Sequence, residues 1–113
     1  MDTQELIKHA TEFAFYPDGA EDDPINGSHH CIRIAFRAPG KWAVLHMGRC
    51  WDGTDWVQEA SPSNRTDSFK KKSRFSLEEA VKLASGMVET TSVNGRTYAQ
   101  WQEYFKAGRV PSE

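Results

Sequence analysis

The chain reads as an α+β fold: an antiparallel β-meander of three to four strands carrying an N-terminal helix and two C-terminal helices. Three observations predict it. Between His29 and Ala60, the runs HHCIRIAFR, WAVLHMGRCW and TDWVQEA are strand-like and separated by turn dipeptides. Ser76, followed three residues later by Glu79, opens a broad apolar helical face. Matching N-cap signals stand at Asp2 with Glu5 and at Thr97 with Gln100.

The meander is the organising segment. Asp52-Gly53 between Trp51 and Trp56 is a strong hairpin signal, because a type I′ turn needs positive φ at both central residues. Pro39-Gly40 fits a type II turn, whose twist suits a tight hairpin less well. Two-residue loops at both sites pair Arg37 with Trp42, Ala35 with Val44, Arg33 with His46, Cys31 with Gly48 and His29 with Cys50. Across the next hairpin they pair Cys50 with Asp55, Gly48 with Val57 and His46 with Glu59. Since side chains alternate between faces, this register puts Ile32, Ile34, Phe36, Ala43, Leu45, Met47 and Trp56 on a core face. The opposite, mixed face carries His29, Cys31, Arg33, Arg37, Trp42, Val44, His46, Cys50, Val57 and Glu59.

Helices are expected at 2–14, 77–90 and 97–107. The first carries Leu6, Ala10 and Phe13 at helical spacing, and Phe15-Tyr16-Pro17 ends it. The second presents Leu77, Ala80, Val81, Ala84, Met87 and Val88 to the sheet, with Phe75 stapling onto Ala80. Asn94-Gly95 turns the chain into the third, whose stripe is Tyr98, Trp101 and Phe105, and Gly108 with Pro111 ends it. Residues 17–28 are a loop with an acidic cluster of Asp18, Glu21, Asp22 and Asp23. Residues 61–75 are a basic loop holding Arg65, Lys70, Lys71, Lys72 and Arg74, whose end can add a fourth strand through Phe69 and Phe75.

At 113 residues the chain is expected to form one domain, 1–113, burying about two-thirds of its unfolded surface. Hydrophobic residues make up 38%, with four Trp, six Phe and three Tyr to build a core. A net charge of −2 gives no general attraction to nucleic acid or membrane. No apolar run reaches the ~18 residues of a membrane span, and the first residues have no signal-peptide pattern. Two Cys in that setting point to reduced thiols in a cytoplasm.

Candidate chemistry is sparse. The register projects His29, Cys31, His46 and Cys50 from one face, all good zinc-ligand types, but a regular strand face spreads them too widely for a tetrahedron. No metal and no cofactor are therefore expected. Arg33, His46 and Glu59 form a row across three strands, which reads as a charge ladder contributing roughly 0.2–1 kcal/mol per pair rather than an acid–base site. No nucleophile has a base and an oxyanion loop near it, and no glycine pattern cradles phosphate, so the chain is not expected to be an enzyme.

Two phrases carry resemblances. The order helix–three strands–helix resembles that of double-stranded-RNA-binding domains, without a lysine pair at the start of the second helix. RAPGKWAV followed by FSLEEAVKLA is similar to the three-strand-plus-helix DNA-binding domains of integrase arms and plant ethylene-response factors, with residues 61–75 inserted. No functional residue is carried over from either. The expectation is a small non-enzymatic cytoplasmic protein acting by protein–protein contact. An accessory protein of a bacterium or phage, such as an inhibitor that occludes a larger partner, fits that description. Its binding residues are Arg33, Arg37, Trp42, Arg65, Lys70, Lys71, Lys72 and Arg74, with the acidic 18–23 loop as a second surface. The alternative is a nucleic-acid-binding domain using the basic 65–74 segment and the Arg33/Arg37/Trp42 patch.

Overall fold

A computed structural model describes residues 2–23 and 26–107. Its centre is a five-stranded antiparallel sheet of β1 (Glu12–Phe15), β2 (Ile32–Ala38), β3 (Lys41–His46), β4 (Arg49–Trp51) and β5 (Trp56–Gln58), in sequential order. Helix α1 (Thr3–His9) precedes it, and the short helix α2 (Asn26–His30) leads into β2. After the sheet come α3 (Asp67–Ser73), α4 (Leu77–Met87), a small hairpin of β6 (Ser92–Val93) and β7 (Arg96–Thr97), and α5 (Tyr98–Lys106).

The α+β class and the antiparallel meander are as expected, and the register is not. The Pro39-Gly40 turn is a two-residue loop, closed by Ala38 opposite Lys41, and Gly40 supplies φ of 71°. A bulge between Phe36 and Ala38 then inserts one residue, so Phe36 rather than Arg37 faces Trp42, and Arg33 faces Leu45 rather than His46. A bulge adds the twist that a type II turn does not supply. One residue of slip flips every side chain of the partner strand.

The core face is therefore Ile32, Ile34, Trp42 and Val44, all buried, with Ala80, Ala84 and Val88 packed over them. Phe13, Phe15, Trp51 and Trp56 complete it. Leu45 lies on the opposite face, half-buried, while Phe36 and Met47 are exposed. Trp42, expected on the mixed face, is 6% exposed and sits against Phe13 at 5.9 Å and Phe36 at 5.7 Å.

The second correction lies in WAVLHMGRCW, which is not one strand. Met47 and Gly48 take φ of 49° and 79°, a type I′ turn that reverses the chain so that His46 faces Arg49 and Leu45 faces Cys50. At the next loop Trp51 faces Trp56, and four residues connect them. The Asp52 carboxylate closes that loop by accepting from the Thr54 and Asp55 N–H groups at 2.8 and 2.7 Å.

The remaining elements diverge from expectation at their ends. Helix α1 stops at His9, with Asp2 capping Glu5 N–H, because Phe13 is drawn into β1 as a core-facing strand residue. The 61–75 segment is helical over α3, capped by Thr66, and only Phe75 adds a β-bridge, to Trp42. Capping boxes close the starts of α4 and α5. Residues 88–90 tighten into a 3₁₀ turn beyond α4. Gly108 and Pro111, read as the stop signal of α5, lie outside the described residues.

Candidate functional site

The basic residues expected to make one surface are split by the fold. Glu59, just beyond β5, accepts a paired hydrogen bond from Arg37, Nε at 2.9 Å and Nη2 at 2.7 Å. It also accepts from Arg74 Nη2 at 2.7 Å and lies 3.6 Å from Arg65 Nη2. Three guanidiniums thus converge on one carboxylate that is 12% exposed. The bulge of β2 presents Arg37, and Arg74 comes from the end of α3, next to the Phe75 bridge.

Electrostatics follow the geometry. Hydrogen bonding from Arg37 holds the Glu59 carboxyl below its usual range. The same bond raises the Arg37 pKa, while burial lowers that of Arg74, whose side chain is 5% exposed. Both remain charged at neutral pH, because guanidinium pKa values start far above it. Arg65 also donates to the Ala60 carbonyl at 2.7 Å. These three arginines are structural clamps, and of the basic 65–74 run the solvent keeps the lysines of α3, with Lys70 beside Asp67 at 3.7 Å.

Arg33 pairs with Glu12 at 3.8 Å on the exposed sheet face, so the Arg33/Arg37/Trp42 patch does not form. His46 stands opposite Arg49 and donates from Nε2 to the His29 carbonyl at 3.0 Å. Its cross-strand partner is therefore neither Arg33 nor Glu59, and the expected charge row is absent. Burial lowers the His46 pKa, favouring the neutral ring.

His29 sits in α2, not on a strand, and His29, Cys31, His46 and Cys50 do not converge. Among the described residues no three His, Cys, Asp or Glu side chains are placed to hold a metal ion. Both cysteines are free and buried, and burial pushes both thiols up, which keeps them protonated and unreactive.

The acidic cluster is likewise divided. Asp23 caps α2 through the Asn26 N–H at 3.0 Å and accepts from the Tyr98 hydroxyl at 3.1 Å. Glu21 and Asp22 are exposed on a 3₁₀ turn, and the Asp18 N–H donates to Glu89 at 2.8 Å.

The surface that the sequence reading passed over lies around the Met47 turn. Two adjoining depressions share His29 and Met47. One, of about 410 Å³, is bounded by Asn26 and His30 of α2, Val93 and Asn94 of the small hairpin, and Trp101 and Phe105 of α5. The other, of about 450 Å³, is bounded by Tyr16, Ser28, Cys31, Arg33 and Leu45. Trp101 and Phe105 stack at 5.9 Å and 25°. Met47 is 57% exposed, Phe105 43% and Tyr16 38%, so the surface has an apolar rim.

No family model, curated protein or solved structure matches the chain.

Proposed function

We propose that the chain is a small non-enzymatic binding protein that acts in the cytoplasm by protein–protein contact, through the paired depressions around Met47. The observation that carries this reading is Met47 itself. A large apolar side chain stands on a turn residue with φ of 49°, a conformation that costs a non-glycine residue about 1–2 kcal/mol, and it is exposed where the two depressions meet. Met adapts to irregular partner surfaces, and Trp101 and Phe105 add aromatic area of the kind that anchors interfaces. Helix α1 supports the reading as well: none of its residues is buried, and Leu6 and Ile7 are 57% and 37% exposed.

The occlusion of a larger partner fits a chain of this size with an apolar rim. Met47→Glu and Phe105→Glu test it, since both residues are exposed and their replacement leaves the core intact. Each is expected to abolish a partner complex recovered from the source cell. Replacing Lys70, Lys71 and Lys72 together by Glu is expected to leave it. Loss of the complex only in the lysine variant, with submicromolar binding of the parent to DNA or RNA at physiological salt, would transfer the function to nucleic acid.

A further inference from the structure

The depression between α2, the β6–β7 hairpin and α5 is bordered by a side chain with a polar atom that no other described residue uses. His30 is 2% exposed, and its Nδ1 lies 3.2 Å from the Thr91 carbonyl oxygen. A carbonyl only accepts, so Nδ1 carries the proton and, in the neutral ring, Nε2 is an acceptor. Nε2 has no hydrogen-bond partner among the described residues, yet no fully buried side-chain nitrogen or oxygen among them lacks one. The atom is therefore not wholly sealed, and the 410 Å³ depression is the space that His30 borders.

The surrounding groups say what would fill it. The Thr91 hydroxyl donates back to the His30 carbonyl at 2.9 Å, and the Tyr98 ring meets the imidazole at 5.7 Å edge-on, so the ring is held in place. Trp101 is fixed by its Nε1–H donating to the Val93 carbonyl at 2.9 Å. With Phe105 stacked on it, the wall is a rigid aromatic surface. Apolar walls of Met47, Val93, Trp101 and Phe105 with a few polar groups from Asn26, His29, His30 and Asn94, in a volume within the 300–1,000 Å³ of small-molecule sites, describe a preformed ligand pocket.

We propose that this depression binds a freely diffusing small molecule whose planar aromatic ring bears a hydrogen-bond donor, as a phenol does. The ring lies against Trp101 and Phe105 and its donor reaches His30 Nε2. Binding there neither requires nor excludes a protein partner on the rim, so the two readings stand or fall separately.

The test is an NMR titration of the full chain with p-cresol, toluene and N-acetyl-tyrosine amide, read at the His30 ring nitrogens and the Trp101 indole N–H. Saturable binding of p-cresol is expected to move both signals. Toluene is expected to bind about five- to tenfold more weakly, the worth of one net hydrogen bond. His30→Asn keeps a donor for the Thr91 carbonyl, and its shorter side chain places no acceptor at the position of Nε2, so it is expected to bind p-cresol no better than toluene. Phe105→Ala, an exposed replacement that does not threaten folding, is expected to weaken both ligands equally. Equal affinity of the parent for p-cresol and toluene, or no saturable shift, would overturn the proposal. So would shifts confined to Tyr16 and Cys31, and tighter binding of N-acetyl-tyrosine amide than of p-cresol would give the pocket to a peptide side chain instead.

Discussion

Replacing Glu59 by Gln removes the carboxylate shared by Arg37, Arg65 and Arg74 while keeping size and shape. The neutral amide accepts through one oxygen and turns its NH₂ toward a cationic donor, so at least one of the three hydrogen bonds is lost outright and the others lose their anionic acceptor. Each is worth roughly 1.5–3 kcal/mol, and stripping a buried ion pair of one partner costs about 3–5 kcal/mol. Arg37 and Arg65 keep 25% and 17% of their side chains in contact with water, which relieves part of the penalty, whereas Arg74 at 5% has almost none. The expected loss is therefore about 3 kcal/mol, read as a fall in the urea midpoint at pH 7. Acid supplies an internal control. Because the folded-state pKa of Glu59 lies below its unfolded value, its contribution is fully present above about pH 4.3 and is lost as pH falls through the folded pKa. The gap between parent and Glu59→Gln must narrow as pH drops below about 4.3. A cost at pH 7 under about 1 kcal/mol, typical of an exposed pair, would refute the clamp. So would a gap that does not change with pH.

Three further outcomes follow from the packing. Val44→Thr places a hydroxyl in the core and should cost about 1–3 kcal/mol in a denaturant melt, whereas Leu45→Thr should cost less than about 1. The reverse order would restore the register with Leu45 in the core. Met47→Gly should raise the unfolding free energy by about 0.5–1 kcal/mol by relieving the positive φ, while weakening the partner complex. Gly27→Ala should cost about 1–3 kcal/mol or more, because a Cβ there collides with the Ala20 carbonyl where α2 packs on the 3₁₀ turn at 20–22. Circular-dichroism melts of that variant check it, and an unchanged midpoint would contradict the close approach.

Much of the architecture was legible because local chemistry agreed with the global fold. Ser76 with Glu79 and Thr97 with Gln100 form the capping boxes their spacing announces, and Asn94-Gly95 makes the turn of the β6–β7 hairpin. The faces were misread for one reason. Pairing outward from Pro39-Gly40 is correct at Ala38 and Lys41, and the bulge next to them leaves no sequence mark. That single residue moved Trp42 and Val44 into the core and turned Leu45 out. Met47-Gly48 was passed over because Met is a poor residue for positive φ, so a strained turn looked like strand. The signal that could have found it is Gly48 in the middle of an otherwise regular strand. Arg65 and Arg74 were grouped with Lys70, Lys71 and Lys72 by adjacency alone. Their inward turn depends on Glu59, a long-range partner that charge patterning within the run does not reveal.

The central claim, that the surface around Met47 meets a protein, is tested most directly by photo-crosslinking. A photoreactive residue is placed at position 47 in one variant and at position 71, on exposed α3, in another, and both are irradiated in the source cell. A discrete protein adduct from position 47, absent from position 71 and from position 47 in the Phe105→Glu background, is the predicted result. Protein or nucleic-acid adducts from position 71 with none from position 47 would contradict it.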